Sequence, residues 1–115
     1  MSDAIVLWYR DDCSKCRRAR ALLEEADAPF RLRAFVDEPP AAAELEALLV
    51  QLGGERAQIA RDLPEGVDAA TASDAELGAL LAAAPASIQR PIAVRRGRAL
   101  IARPPERVLE LLDGR

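Results

Sequence analysis

The sequence contains no histidine, a single lysine, two cysteines and only four Phe, Trp or Tyr residues in 115 positions. Without histidine there is no imidazole to serve as a general base or to complete a Cys–His zinc site. Asp11 and Asp12 are the nearest carboxylates to the two thiols, but two cysteines helped by aspartates make a poor structural metal site, and none is expected. So few rings exclude an aromatic platform for stacking single-stranded nucleic acid. The longest early apolar run, Ala4–Tyr9, is too short for a signal-peptide core or a membrane span. A cytoplasmic protein without membrane association is therefore expected. In a reducing compartment a C-x-x-C pair points to redox or metal chemistry rather than to a structural disulfide.

What is present is charge of both signs. Sixteen basic residues stand against nineteen acidic ones, a formal net charge of −3, which argues against a protein built to coat nucleic acid. Half the residues are apolar and 30% charged, so the composition is that of a folded globule. The length suits one domain spanning residues 1–115, large enough to form a core without staples.

The pattern along the chain predicts the elements. Ala4–Tyr9 is apolar and partly β-branched, as in a buried strand, and Cys16–Ala26 reads as a helix with Leu22, Leu23 and Ala26 on one side. Phe30–Val36 alternates apolar and polar, as a half-buried strand does. Ala41–Leu52 is a helix stopped by Gly53-Gly54, and Arg56–Asp62 a short helical turn. Ser73 and Glu76 form a capping box for a helix running to about Ala84. Pro91–Val94 and Ala99–Ala102 are short strands joined by Arg95-Arg96-Gly97-Arg98, and Pro104-Pro105 opens a last helix, Glu106–Leu112. The order β-α-β, helices, then β-β-α is an α/β plan similar to the thioredoxin-like fold, with a mainly helical insertion over about 40–88.

Both cysteines lie at the first strand-to-helix junction. Cys13 sits where the helix dipole and unpaired N–H groups stabilise a thiolate, the nucleophilic form of the group. Lys15, Arg17 and Arg18 are expected to help, and Asp11 and Asp12 to oppose. Cys16, one turn on, is either a second reactive thiol or a small apolar residue packed under the helix. Fifteen of the sixteen cationic side chains are arginine, and most are surface charge. Three stand out by position: Arg61 in the insertion, Arg90 before Pro91, and Arg103 before Pro104. In a thioredoxin-like fold the loop before the third strand carries a cis-proline facing the reactive cysteine. Pro91 is the candidate, which would set Arg90 beside Cys13. Planar guanidinium groups suit tetrahedral oxyanions.

The Cys13 loop, "ARDLPEG" in the insertion, and "IQRPIAVRRGRALIARPPERVLELL" near the end resemble the ArsC-like family across nearly the whole chain. That family includes glutaredoxin-dependent arsenate reductases and Spx-type regulators. The paired Arg-Pro blocks are the most specific part of the likeness. For an arsenate reductase it implies Cys13 as nucleophile, with Arg61, Arg90 and Arg103 binding arsenate or another oxyanion. It further implies glutathione as co-substrate, glutaredoxin as partner, no protein-bound cofactor, and a monomer.

Two departures stand out. The family's usual loop has histidine and then Asn-Pro ahead of the cysteine, whereas this chain has Tyr9-Arg10-Asp11-Asp12. Cys16 occupies a position commonly not cysteine in the reductases, while Spx-type proteins carry C-x-x-C. The likeness therefore leaves open an internal resolving role for Cys16. It also leaves open a redox switch that binds RNA polymerase, and a general thiol–disulfide reductase on the same scaffold.

Overall fold

The computed structural model describes residues 3–113. Four strands form one mixed sheet in the order β2-β1-β3-β4. They are β1 (Ile5–Trp8), β2 (Phe30–Arg33), β3 (Ile92–Arg95) and β4 (Arg98–Ile101). β1 runs parallel to β2, with Leu7 opposite Leu32, and antiparallel to β3, with Leu7 opposite Ala93. A chain that runs β-α-β through α1 (Ser14–Glu25) must return parallel, because the helix carries it back to the starting edge. β3 and β4 join through Arg96 and Gly97, both with positive φ (52° and 77°), the backbone that a two-residue hairpin turn requires. This is the thioredoxin-like α/β fold with a helical insertion, as the element order predicts.

Alternation along the strands builds a core on each face of the sheet. Ile5, Leu7, Ala93 and Leu100 pack with Cys16, Ala19 and Leu23 of α1 and with Val108 and Leu111. Trp8, Ile92 and Ile101 point the other way, onto the insertion. That insertion comprises α2 (Ala42–Leu52), a 3-10 segment Gly53–Gln58, α3 (Asp74–Ala83) and a short 3-10 turn Pro85–Ser87. Leu45, Leu48, Leu49 and Leu52 of α2 pack with Leu77 and Leu81 of α3. The Ser73 hydroxyl accepts the Glu76 N–H at 3.0 Å, so the capping position read from the sequence starts α3.

Four expectations shift. The helical turn expected over Arg56–Asp62 comes earlier, as the 3-10 segment Gly53–Gln58, because Ala60 is taken into a bridge with Ile88. α1 begins at Ser14, two residues before Cys16, because Cys13 itself is the cap. β2 ends at Arg33: the chain turns through a Glu38 N–H to Ala34 carbonyl bond of 2.9 Å. That turn carries Phe35 inward against Trp8, ring centroids 5.7 Å apart. The last helix, Pro105–Asp113, is 3-10 rather than α. Residues three apart eclipse in that geometry, and Val108 and Leu111 are its two buried side chains.

Among the described residues no helix is long and apolar enough to cross a membrane. Nor does any group of three or more His, Cys, Asp or Glu gather to hold a metal ion.

Gly78 is where α3 meets α2. A Cβ there would lie 3.0 Å from Glu46 Cγ and 3.1 Å from the Ala42 carbonyl oxygen. Helix propensity favours alanine over glycine by about 1 kcal/mol, but a backbone carbonyl cannot rotate aside as a side chain can. Gly78→Ala is expected to lower the urea midpoint. A raised midpoint would show that the helices separate at no cost.

Candidate active site

Cys13 has extended backbone (φ −104°, ψ 117°) and stands as the N-cap of α1. Its sulfur takes the part usually played by a serine or aspartate oxygen, accepting the Cys16 N–H at 3.4 Å. The carbonyl of Cys13 accepts the Arg17 N–H at 3.0 Å, closing the first turn. Burial alone would push the Cys13 thiol up, but it lies below the ordinary thiol value. The Cys16 thiol, the N–H groups of Cys16 and Lys15, and the charge of Arg103 together outweigh the desolvation.

Cys16 lies wholly inside, packed with Leu7, Ala19 and Leu23. Burial, with the hydrogen bond and charge of Cys13 adding to it, pushes its thiol up to about 12 despite a backbone hydrogen bond at Arg10. The two sulfurs thus have opposite tendencies. Cys13 favours the thiolate, and Cys16 stays protonated and donates toward it.

Around Cys13 the fold gathers cations from three separate segments. An antiparallel bridge pairs Ala60 with Ile88, the Arg61 N–H reaching the Ser87 carbonyl at 2.7 Å and the Gln89 N–H the Ile59 carbonyl at 2.6 Å. This places Arg61 beside Arg90. The Ala102 N–H bonds the Pro91 carbonyl at 2.9 Å, and Arg103 Nε bonds the Arg90 carbonyl at 2.9 Å, adding the third arginine. A pocket of about 340 Å³ results, lined by Asp12, Cys13, Ser14, Lys15, Arg61, Arg90 and Arg103. The Arg90–Pro91 peptide bond is cis, and so is Arg103–Pro104, where no cis bond was expected.

Arg90 is 7% exposed, the one charged side chain fully buried among the described residues. Nη1 donates to the Ala86 and Ile88 carbonyls at 2.6 and 2.9 Å, and Nε finds no acceptor. Burial, then the charges of Arg61 and Arg10, depress its basicity, and negative charge on Cys13 or Cys16 restores it. No carboxylate among the described residues answers this guanidinium. The Arg61 side chain likewise has no hydrogen bond or ion pair among the described residues. Such an arrangement attracts an anion.

The flanking charges behave differently from expectation. Arg17 is turned to the Asp11 carbonyl at 2.6 Å, and Arg18 faces Glu106 at 3.8 Å. Lys15 acts on the Cys13 sulfur through its backbone N–H. Asp11 sits against Tyr9, whose hydroxyl is raised first by burial and then by that carboxylate. Asp12 is paired with Arg10 at 3.0 Å. Neither aspartate outweighs the groups that favour a Cys13 thiolate. Arg10 is the charged residue near Arg90 that the sequence reading passed over, since an arginine before two aspartates looks like an ordinary surface pair.

The ArsC family model matches residues 8–111. The chain is 30% identical to an arsenate reductase of Haemophilus influenzae over 95% of its own length and 99% of that protein's. It is 31% identical to an arsenate reductase of Neisseria meningitidis serogroup A, covering 94% of this chain and 97% of that one. A solved arsenate reductase structure from Vibrio cholerae superposes with a TM-score of 0.81 at 33% identity, over 96% of this chain and 99% of the other. The chain belongs to the ArsC family.

Iodoacetamide titration reads the two sulfurs separately. Cys13 should be alkylated with a midpoint below the ordinary thiol value of about 8.5, and Arg103→Gln should move that midpoint upward. Cys16 should stay unlabelled until denaturant is added. Equal labelling of both cysteines in the native protein would contradict the contrast between them.

Proposed function

We propose that this ArsC-family chain reduces arsenate to arsenite, with Cys13 as nucleophile and Arg61, Arg90 and Arg103 binding the oxyanion. The observation that carries the reading is one pocket in which a thiolate-favouring cysteine faces three arginines that lack carboxylate partners. The arginines draw in the anion and neutralise the charge that would otherwise repel a thiolate. The Cys13 sulfur forms a bond to As(V), and one arsenic–oxygen bond breaks, its oxygen leaving as water with protons from solvent.

Glutathione supplies the electrons in this reading. Its thiolate attacks the Cys13 sulfur, forming a Cys13–glutathione disulfide. The sulfur–arsenic electron pair stays with arsenic, which departs as arsenite. A glutaredoxin thiolate then takes the glutathione sulfur and frees the Cys13 thiolate. No protein-bound cofactor is required.

Cys16 fits better as a hydrogen-bond donor to Cys13 than as a resolving thiol. A thiol pushed up to about 12 supplies little thiolate at neutral pH. An Spx-type redox switch on RNA polymerase, or a general thiol–disulfide reductase, would give the three convergent arginines no task.

The test is arsenate-dependent NADPH oxidation, coupled through glutathione, glutaredoxin and glutathione reductase. Cys13→Ser should abolish it. Arg90→Lys should lower kcat/KM by about one hundredfold to one thousandfold, the scale of losing one preorganised donor. Cys16→Ser should retain turnover. Loss in Cys16→Ser as in Cys13→Ser would indicate an internal disulfide, and no turnover in the unaltered protein would overturn the arsenate reading.

A further inference from the structure

One wall of the Cys13 pocket is anionic. Asp12 lines it together with Lys15, Arg61, Arg90 and Arg103. It is also part of the adjoining pocket of about 240 Å³ that includes Tyr9, Arg10, Asp11 and Asp37, so it stands between the two. Its Oδ2 accepts from Arg10 Nη2 at 3.0 Å, while Oδ1 has no donor among the described residues. The side chain is 70% exposed and keeps its freedom to meet whatever fills the pocket.

The cationic side chains of the pocket can only donate. Arg103 spends Nε on the Arg90 carbonyl, and its two terminal nitrogens have no acceptor among the described residues. Arg90 Nη2 is in the same position, as is the whole Arg61 guanidinium. An ionised carboxylate does the reverse: it accepts and cannot donate. Against a bare oxyanion oxygen it is repulsive, and against an O–H it forms a charge-assisted hydrogen bond. A carboxylate set among several cationic donors matches a tetrahedral anion that carries at least one proton. Monohydrogen arsenate and monohydrogen phosphate have such a hydroxyl near neutral pH, whereas sulfate and selenate have none.

We propose that Asp12 selects protonated tetrahedral oxyanions, accepting a hydrogen bond from their hydroxyl and excluding sulfate-type anions. The proposal rests on the reading of the pocket as an oxyanion site and specifies its substrate class. Arg10 is a positioning residue here. It holds one oxygen of Asp12 and leaves the other for the ligand.

Protection of Cys13 from iodoacetamide measures the selectivity, with phosphate as an unreactive stand-in for arsenate and sulfate as the competitor. At mildly alkaline pH both anions are mostly doubly charged, so the proton and not the net charge distinguishes them. In the unaltered protein phosphate should protect at concentrations about tenfold below those of sulfate, the scale of one unmatched polar contact. Asp12→Asn should bring the two close to equal. The amide removes a charge and adds a donor, which strengthens every anion, so the ratio of the two is the readout.

An unchanged ratio in Asp12→Asn would overturn the proposal and leave the oxyanion site standing, as would no discrimination in the unaltered protein. Protection by neither anion would remove the site itself. Selective protection without arsenate-dependent turnover would keep the role of Asp12 and overturn the reductase reading.

Discussion

A buried guanidinium organises this molecule. Arg90 lies at the junction between the helical insertion and the second half of the sheet, 7% exposed, with no carboxylate partner among the described residues. Burying a charge without a counter-charge is costly, and two carbonyl acceptors offset only part of that cost. The same residue ties three segments together. Its side chain holds the Ala86 and Ile88 carbonyls at the end of the insertion, and its own carbonyl receives Arg103 from beyond β4. The insertion and the β3–β4 hairpin are thus drawn toward one point beside Cys13. The same uncompensated charge is what the proposed oxyanion site draws on.

The two cysteines divide one task through their different surroundings. They are three residues apart on one helix turn, yet one lies below the ordinary thiol value and the other is pushed up to about 12. Cys13 meets the open N-terminus of α1 and the charge of Arg103. Cys16 meets Leu7, Ala19 and Leu23 in an apolar interior. In that interior Cys16 keeps its proton and can lend it to the neighbouring sulfur. The C-x-x-C spacing therefore does not by itself make a dithiol redox pair; the hydrogen bonds, charge and burial around each sulfur decide.

Much of this was legible in the chain. The alternation of Ile5, Leu7, Ala93 and Leu100 against Trp8, Ile92 and Ile101 separates the two core faces, and Ser73 with Glu76 marks the start of α3. Position at a strand-to-helix junction singled out Cys13, and the Arg-Pro blocks singled out Arg90 and Arg103. Other features depend on contacts far apart in sequence. Phe35 leaves its strand because Trp8 offers a surface to cover, which strand alternation cannot reveal. The sequence of Pro105–Asp113 shows only an amphipathic helix, and its 3-10 form is not marked by the spacing of Val108 and Leu111, which suits an α-helix as well. The expected influence of Arg17 and Arg18 on the thiol failed for a related reason. Nearness in sequence placed them close, but their side chains turn to Asp11 and Glu106.

The missing histidine completes the physical picture. Arginine remains charged across the whole accessible pH range, so a site built from Arg61, Arg90 and Arg103 has a field that does not vary with pH. A histidine in the loop would add a group that loses its charge near neutrality, where thiols and monohydrogen oxyanions also exchange protons. Here those two reactants are left as the principal titrating groups of the proposed reaction. Capping by the sulfur itself, backbone N–H groups and fixed guanidinium charge favour the thiolate without any proton acceptor beside it. With no imidazole to sense the protonation state of the anion, recognition of its hydroxyl falls to the one acidic side chain on the pocket wall, Asp12.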